Sequence, residues 1–253
     1  MLQSKLDDRI EREREFHNTR FSEENRDAQG KYYAAIKDGS QAFDQRLMEL
    51  SKNSDVLEYG CGSYPMAHKV AGVARMVTGI DISEVAVSLG EKKSTAENIN
   101  NTKFMVMNAE QMDFADGSFD LVFGRGIIHH LDIESSFSEI ARVLRPNGTA
   151  LFWEPLGHNR FFNSYRKMTP DARTVDEHPL LKSDMEIAKR YFADVELKFY
   201  GLFSLLSVPF RDSKLGDGIL KVTSAFDRAI FSLPVIKWQA WYCLIELKNP
   251  NHR

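Results

Sequence analysis

The sequence predicts an α/β protein built on one mostly parallel, seven-stranded sheet with helices on both faces. From Val56 onward, short apolar runs alternate with helical patterns, which is typical of parallel strands joined by right-handed crossovers. The first apolar run ends in a glycine-rich turn at Gly60 and Gly62, and the second ends at Asp81. With 253 residues the chain can bury a sizeable core as one large α/β domain.

The segment before the first strand is predicted to be helical. Charges alternate from Glu11 to Glu15, and spaced apolar side chains then continue as far as Leu47. We therefore expect an N-terminal helical cap over residues 1–50 and the sheet-bearing domain over residues 51–253.

Strands and helices then follow in order. Strands are expected at about residues 55–59, 76–80, 103–107, 119–124, 148–153, 194–201 and 240–248. Helices are expected between them, at about residues 65–73, 83–97, 134–143 and 183–191. The sequence Arg145-Pro146-Asn147-Gly148 predicts a turn before the fifth strand, because proline ends a helix and Asn-Gly turns the chain.

Two connections, at about residues 155–182 and 202–238, are longer than ordinary loops. Loops at the carboxyl ends of parallel strands often carry function. Both connections and the helical cap are therefore candidates for enclosing a substrate, and we describe the two connections as lid insertions.

The second lid contains an apolar helical face. Its apolar side chains repeat every three or four residues, at Ile219, Val222, Phe226, Ile230 and Leu233. We expect this face to pack on the sheet edge. An apolar substrate pocket and association with a membrane surface are alternatives, although lysines and arginines are not massed on the opposite face, which counts against a membrane.

Composition narrows the class of protein further. A net charge of −3 argues against a nucleic-acid-binding surface. Two cysteines, Cys61 and Cys243, give no disulfide framework. The charged N-terminus carries no apolar signal core, and no apolar run reaches membrane-spanning length. A cytoplasmic enzyme acting on a small molecule is the expectation, and its oligomeric state stays open.

The residues around the glycine turn distinguish a dinucleotide cofactor from a cationic one. A dinucleotide-binding turn carries a third glycine three residues after the second, whereas this chain has Pro65 there. Glu58 lies two residues before the first glycine, where a carboxylate would repel a pyrophosphate but attract a cation. Asp81 is placed to accept hydrogen bonds from two ribose hydroxyls.

This E-x-G-x-G turn with its following acidic strand end resembles motif I and the acidic loop of class I S-adenosylmethionine (SAM)-dependent methyltransferases. Further stretches after the third and fourth strands and around the fifth resemble the same family, so the likeness covers about residues 54–154. Tyr64 replaces the usual third glycine. The resemblance implies a Rossmann-like sheet with an antiparallel last strand. It also implies methyl transfer from SAM to an oxygen or nitrogen of a small-molecule acceptor, with S-adenosylhomocysteine as product.

The resemblance also implies a set of cofactor-binding residues. Asn108 would read the adenine edge, Ile82 would pack on its face, and Glu110 is either an adenine or lid contact or a helix-start carboxylate. Arg125 would pair with the cofactor carboxylate or with Glu58. The full set is Tyr33, Glu58, Gly60, Cys61, Gly62, Asp81, Ile82, Asn108, Ala109, Glu110 and Arg125.

Four residues are candidates for orienting or deprotonating the acceptor: His130, Glu154, His158 and His178. Each has a structural alternative, which is packing or a hydrogen bond that stabilises a loop, and His129 is a weaker candidate. The ligand-type residues His158, Asp176, Glu177 and His178 lack a tight ligand spacing, so no metal is expected.

Three other functions remain open. SAM could assist a reaction that transfers no methyl group, or the chain could be a regulatory SAM-binding subunit. Alternatively, the enzyme could act on a lipid-like or quinone-like substrate at a membrane surface. A nicotinamide-dependent oxidoreductase is disfavoured by Glu58 and by the absent third glycine.

Overall fold

The computed structural model describes residues 2–22, 30–63, 65–168, 174 and 177–251. Tyr64 and Asp176, which the sequence analysis singles out, lie outside the described residues. The strands are β1 Asp55–Tyr59, β2 Met76–Asp81, β3 Thr102–Val106, β4 Phe119–Arg125, β5 Leu144–Pro155, β6 Phe192–Tyr200 and β7 Tyr242–Pro250. The helices are α1 Leu2–Ser22, α2 Gly30–Tyr33, α3 Lys37–Leu50, α4 Ala67–Val70, α5 Glu84–Ala96, α6 Ile133–Val143, α7 Arg160–Lys167, α8 Lys182–Tyr191 and α9 Gly216–Ile230.

The seven strands form one sheet in the order β3-β2-β1-β4-β5-β7-β6. The first five strands of this order pair in parallel, and β7 runs antiparallel to both of its neighbours. The predicted seven-stranded, mostly parallel α/β fold is therefore confirmed. The chain order reverses between β1 and β4, which is the place where such sheets open a crevice for ligands beyond the carboxyl ends of their strands.

The predicted boundaries hold to within two residues for every strand except β5. There β5 begins at Leu144, directly after α6 and earlier than predicted. Phe119 pairs with Leu144, but Leu121 pairs with Thr149, so residues 145–148 lie opposite Asp120 alone and form the predicted turn within the bounds of the strand. The predicted helix at 65–73 is shorter than expected and covers Ala67–Val70.

Helices cover both faces of the sheet and create two cores. On one face, α6 buries Phe137 and Ile140 against sheet residues that include Phe152. On the other face, α3 buries Phe43 and Leu47 in a cluster that contains Trp153. Burial of such large apolar side chains supplies most of the favourable free energy of folding.

The N-terminal helix α1 lies across the carboxyl ends of the strands. Arg9 donates a 2.6 Å hydrogen bond to Glu110, which follows β3. Asn18 accepts a 2.5 Å hydrogen bond from the Ser83 hydroxyl at the start of α5. The described part of the cap is helical, and its separation from the sheet as a domain of its own stays a prediction.

Helix α9 of the second lid departs from the expected orientation. The sequence predicts that its apolar face packs on the sheet edge, but Val222 and Phe226 are exposed and Ile219 is only partly covered. The buried side of the helix instead carries Ser224 and Asp227. None of the described helices has both the length and the apolar composition needed to cross a membrane.

Candidate active site

A cavity of about 1200 Å³ opens beyond the carboxyl ends of the central strands, between the sheet and α1. Every residue that the family resemblance implies for cofactor binding lines this cavity. These residues are Tyr33, Glu58, Gly60, Cys61, Gly62, Asp81, Ile82, Asn108, Ala109, Glu110 and Arg125. The same cavity is also lined by the two adjacent histidines after β4, His129 and His130.

The glycine turn after β1 has the backbone that only glycine adopts easily. Gly60 and Gly62 have φ angles of 76° and 56°, in the left-handed region. A Cβ atom on Gly60 would also lie 2.7 Å from the Ile127 side chain. This turn exposes its backbone to the cavity without a side chain in the way.

Asp81 at the end of β2 fastens this turn to the next loop. Its Oδ2 atom accepts a 2.8 Å hydrogen bond from the Gly62 N–H, and its Oδ1 atom accepts a 2.9 Å hydrogen bond from the Ser83 N–H. Burial raises the pKa of the Asp81 carboxyl, although these backbone donors oppose the rise. The carboxylate therefore sits at the cavity wall in a fixed orientation.

Glu58 anchors the segment that follows the turn. Its two carboxylate oxygens accept hydrogen bonds from the backbone N–H groups of Met66, at 2.7 Å, and Ala67, at 2.8 Å. Burial, together with the charge of Asp81, raises the pKa of Glu58 to about 8. An acid held this way gains from a nearby cation, because a positive charge stabilises its ionised form.

Arg125 does not form the ion pair with Glu58 that the sequence analysis offers as an alternative. Its guanidinium lies 3.8 Å from the Asp44 carboxylate of α3, donates a hydrogen bond to Ser40 and stacks over Phe43. Arg125 thus joins α3 to the cavity rim. Its predicted pairing with a cofactor carboxylate stays a prediction.

The loop after β3 is held from two sides. The Asn108 side-chain oxygen accepts a 2.9 Å hydrogen bond from the Glu110 N–H. The Glu110 carboxylate accepts hydrogen bonds from Arg9 of α1, at 2.6 Å, and from the Asp132 N–H, at 2.7 Å. Of the roles considered for Glu110, this geometry favours contact with the covering helix. This bond uses one of the two lone pairs of the Asn108 oxygen, so the predicted contact of Asn108 with the adenine edge stays a prediction.

Glu154 lies behind His129 and not at the cavity surface. The carboxylate is fully buried, with Oε1 accepting hydrogen bonds from the N–H groups of Ile127 and Ile128 and Oε2 lying 2.7 Å from Nδ1 of His129. Nε2 of His129 lies 3.6 Å from the Glu177 carboxylate. Glu154 therefore acts as a positioning group for His129, a role other than direct contact with an acceptor.

His130 faces a carboxylate and an imidazole that α1 brings into the cavity. Its Nδ1 atom lies 3.4 Å from Oε2 of Glu13, and His17 Nε2 lies 3.4 Å from the same oxygen. Burial raises the pKa of the Glu13 carboxyl, but His130, His17 and the Thr174 hydroxyl lower it further, so the pKa lies well below its usual range. Glu13 is therefore ionised beside His130.

Besides Glu154, two more of the predicted catalytic residues lie outside the cavity lining. His158 Nε2 accepts a 2.9 Å hydrogen bond from the Lys182 N–H, and its ring packs near Trp238. His178 lies 3.4 Å from the Asp184 carboxylate at the start of α8. Both positions match the loop-stabilising alternative for these residues.

The helical cap was expected to help enclose a substrate, but Glu13 and His17 of α1 were not predicted as site residues. Glu13 and His17 are four residues apart, so they share one helical face, and Phe16 and Phe21 of the same helix also line the cavity. The mixture of aromatic, histidine and acidic side chains in an otherwise charged helix was the available signal. That Glu13 lies beside His130 could not be predicted from the sequence of α1 alone.

An aromatic wall closes another side of the cavity. Tyr33 stacks on Trp241 with ring centroids 5.6 Å apart, and its hydroxyl lies 3.5 Å from that of Tyr242. Tyr242 in turn stacks on Trp153 at 5.1 Å. This wall lies apart from the glycine turn in sequence and gives the cavity an apolar side.

Ligand-type side chains come together in two overlapping groups within the described residues. One group is Glu13, His17 and His130, and the other is His129, His130 and Glu177. In each group the possible ligand atoms lie within 4.8 Å of one another. The metal-free site expected from the sequence stays a prediction.

The cavity fits SAM by its own features. The glycine turn forms a backbone cradle at the cavity wall, Asp81 and Glu58 place two carboxyl groups beside that cradle, and the volume exceeds what one nucleoside requires. The sequence profile described as "Methyltransferase domain" matches residues 57–152, which contain most of these groups.

Relatives in sequence point the same way. A demethylmenaquinone methyltransferase of Geobacillus kaustophilus (strain HTA426) is 34% identical over 181 residues, covering 61% of this chain and 77% of that protein. The Listeria monocytogenes serotype 4a (strain HCC23) protein of the same name is 35% identical over 108 residues, covering 41% of this chain. The match spans only 45% of the length of that Listeria relative.

Solved structures show the same fold. Phosphoethanolamine N-methyltransferase 2 of Haemonchus contortus, in complex with SAM, superposes with a TM-score of 0.61 at 21% identity, covering 85% of this chain and 53% of that one. Geranyl diphosphate C-methyltransferase of Streptomyces coelicolor A3(2) has a TM-score of 0.60 at 15% identity, covering 83% and 77%. The fold and the cavity are those of a SAM-binding α/β domain. This chain belongs to the class I SAM-dependent methyltransferases.

Proposed function

We propose that this chain transfers the sulfonium methyl group of SAM to an oxygen or nitrogen nucleophile of a small-molecule acceptor. The supporting observation is one cavity that holds both the cofactor cradle and the buried histidine pair. When bound, SAM supplies an already electrophilic methyl group, so the protein contributes mainly alignment. Well-oriented reactants lower a barrier by roughly 7–11 kcal/mol.

The proposed cofactor-holding groups are those around the glycine turn. The backbone at Gly60 and Gly62 would approach the ligand closely, and Asp81 would accept hydrogen bonds from the ribose hydroxyls. Glu58 keeps a carboxylate under the turn by accepting two backbone hydrogen bonds. Because a cation favours its ionised form, Glu58 would contribute to the selection of a sulfonium ligand.

His130 is the proposed proton acceptor. Its Nδ1 atom is buried and faces the ionised Glu13 carboxylate at 3.4 Å. With the Nδ1–H directed at that carboxylate, Nε2 would take the proton from an acceptor hydroxyl, and Glu13 would stabilise the imidazolium that forms. A positioned base of this kind contributes roughly 10²–10⁴ in rate. An amine acceptor would depend on it less.

A quinone-like acceptor in its reduced, hydroquinone form is the second candidate within this activity, because a hydroxyl of the reduced ring can take the methyl group and lose its proton. The aromatic side of the cavity, formed by Tyr33, Trp241 and Tyr242, would suit a flat apolar ring. The relatives named demethylmenaquinone methyltransferase favour the same class. The cytoplasmic location expected from the sequence belongs to this proposal as a prediction.

The test begins with calorimetric titration of the purified chain with SAM, S-adenosylhomocysteine and NAD. We expect micromolar binding of the first two and none of NAD. The chain is then incubated with SAM and phenolic, amine and short-chain hydroquinone acceptors, and both products are quantified.

Methylated product and S-adenosylhomocysteine in equal amounts would support the proposal. Turnover of an acceptor without S-adenosylhomocysteine would replace it with non-methyl chemistry. If the chain binds SAM but turns over no acceptor, and a partner chain restores turnover, a regulatory role would replace the proposal. Binding of NAD in preference to SAM would overturn the cofactor assignment.

A further inference from the structure

The second lid exposes an unusual amount of apolar surface. Among the described residues, seven of the thirteen strongly exposed large apolar side chains lie between positions 206 and 235. We define the apolar lid face as these seven side chains: Leu206, Phe210, Leu215, Val222, Phe226, Leu233 and Val235. Exposed apolar surface concentrated in one segment marks an interaction site more often than scattered single residues do.

This exposure follows from how α9 is held. On its inner side the Asp227 carboxylate accepts three backbone hydrogen bonds, from Leu202 at 3.0 Å, Phe203 at 2.7 Å and Ser204 at 3.1 Å. Asp227 is buried, so this contact fixes the polar side of α9 toward the protein. Val222, 71% exposed, therefore points to solvent, and Phe226 one turn later is 51% exposed while the rest of its ring packs against Phe203.

The charge of the lid sets it apart from the rest of the chain. Residues 203–239 contain five lysines and arginines against three aspartates, in a chain with a net charge of −3. One of the three aspartates is the buried Asp227. The cations Arg211, Lys214, Lys221 and Arg228 are exposed in the same segment. Arg211 lies 3.1 Å from the Asp212 carboxylate and Arg228 lies 3.6 Å from that of Asp38, and both of these pairs are at the surface. Apolar side chains flanked by cations are what an anionic bilayer surface attracts.

The lid is also continuous with the cavity. Leu205, in the segment that packs against α9, lines the main cavity and a neighbouring one of about 410 Å³. Tyr32 lines both cavities as well. The smaller cavity is otherwise lined by Val208, Pro209, Arg211 and Asp212, which belong to the same lid. The segment that lines both cavities is therefore next in sequence to Leu206 and Phe210 of the apolar lid face.

We propose that the apolar lid face docks on an anionic lipid bilayer, so that the cavity receives an acceptor with an apolar tail directly from the membrane. This inference rests on the proposed methyltransferase function and adds the source of its substrate. Val222, Phe226 and Leu215 would enter the headgroup region, and the neighbouring lysines and arginines would contact lipid phosphates.

The experiment is vesicle flotation of the full chain, without SAM or acceptor. The vesicles are phosphatidylcholine alone or phosphatidylcholine with phosphatidylglycerol, each at low and high salt. The test variant is Val222→Glu. The matched control is Met76→Glu, because Met76 is also exposed, at 42%, but lies at the amino end of β2. Thermal unfolding and SAM titration of each variant verify the fold and the cofactor site.

We expect the native chain and Met76→Glu to bind the anionic vesicles, less at high salt and less to neutral lipid. Val222→Glu should bind about tenfold more weakly, because a charge replaces an apolar side chain that the bilayer would cover on docking. No vesicle binding by the native chain, or equal binding by Val222→Glu, would overturn the inference.

Two further outcomes are distinguishable from that one. A dimer detected by light scattering and abolished by Val222→Glu, with no vesicle binding, would overturn the inference and assign this face to a second copy of the chain. A native chain that binds vesicles but neither SAM nor S-adenosylhomocysteine would leave the docking surface standing and overturn the proposed function.

Discussion

The fully buried carboxylate of Glu154 lies 2.7 Å from Nδ1 of His129. The other carboxylate oxygen accepts the backbone N–H groups of Ile127 and Ile128. One side chain from β5 therefore fixes both the backbone after β4 and the ring that projects from it. This arrangement makes Glu154 a positioning residue, so the candidates for the proton acceptor are the histidines.

Glu154→Gln should lower both stability and activity. Glutamine has only one oxygen, so a buried hydrogen bond to His129 or to the backbone is lost or reversed, at a cost of about 1–3 kcal/mol. We expect a lower melting temperature and a lower kcat with nearly unchanged KM for SAM. Glu246→Gln is the control, since Glu246 is also buried but pairs with Arg46 away from the cavity. Equal kinetic constants for the two variants would show that Glu154 does not position the active site.

His130→Gln should reduce kcat by roughly 10²–10⁴ with a hydroxyl acceptor, because the proposed proton acceptor is lost. SAM affinity, measured by calorimetry, should change little. His158→Gln is the matched control, since His158 only accepts a hydrogen bond from the Lys182 N–H outside the cavity. Glu13→Gln should show a smaller loss, because Glu13 acts through His130. Full activity of His130→Gln would exclude His130 as the base.

Asp81→Ala should weaken SAM binding by roughly 10- to 100-fold, since charge-assisted hydrogen bonds are each worth about 1.5–3 kcal/mol. The substitution also releases the Gly62 and Ser83 N–H groups. Asp81→Asn keeps one acceptor oxygen and should retain part of the affinity. Asp120→Ala, at the amino end of β4, serves as the control. Unchanged SAM affinity in Asp81→Ala would count heavily against the cofactor assignment.

SAM binding should tighten as pH rises from about 6 to about 9. Burial raises the pKa of Glu58 to about 8, so the unliganded site holds this acid mostly protonated at pH 6. A bound cation favours the ionised form and lowers that pKa, so affinity increases with pH until Glu58 is ionised without the ligand.

S-Adenosylhomocysteine is the comparison ligand for this test, because it lacks the sulfonium charge but keeps the other groups of SAM. Its affinity should rise much less over the same range. Calorimetry in two buffers of different ionisation enthalpy should also detect a proton released on SAM binding. Parallel pH profiles for the two ligands would show that Glu58 does not sense the sulfonium charge.

Chelators should leave the enzyme unchanged. The group formed by Glu13, His17 and His130 is compact enough to suggest a metal, but we assign its carboxylate to the support of His130. We therefore expect the same kcat and melting temperature after exhaustive treatment with EDTA. Two results together would contradict this metal-free assignment. Activity would be lost with EDTA and restored by one divalent ion, and that ion would bind the native chain but not Glu13→Gln.

The positions of the strands along the chain and the cofactor turn could be predicted from sequence because their signals are local. Each apolar run of the parallel sheet indicates a strand by itself, and the left-handed φ of Gly60 and Gly62 is a property of the turn itself. Asp81 is the last residue of its strand, so its place at the cavity was implied once the strands were parallel. The pairing of Leu144 with Phe119, ahead of the turn at residues 145–148, was not predicted, because it joins segments that are distant in sequence.

Contacts between distant segments could not be predicted in this way. Nothing near Glu13 in the sequence indicates that it meets His130, and nothing near Glu154 indicates that it lies behind His129. His158 and Glu154 looked alike as polar groups after the fifth strand. Their different roles depend on whether the chain turns each side chain toward His129 or toward α8.

By itself, the sequence determined the α/β class, the strands and the SAM-type turn, because these depend on periodicity and on backbone conformations set by neighbouring residues. Only the tertiary structure decided which residues surround the histidines and which way α9 faces. An apolar stripe defines a helical face but not the side of the protein it lies on. The buried contact of Asp227 with the backbone at Leu202–Ser204 turned that stripe outward.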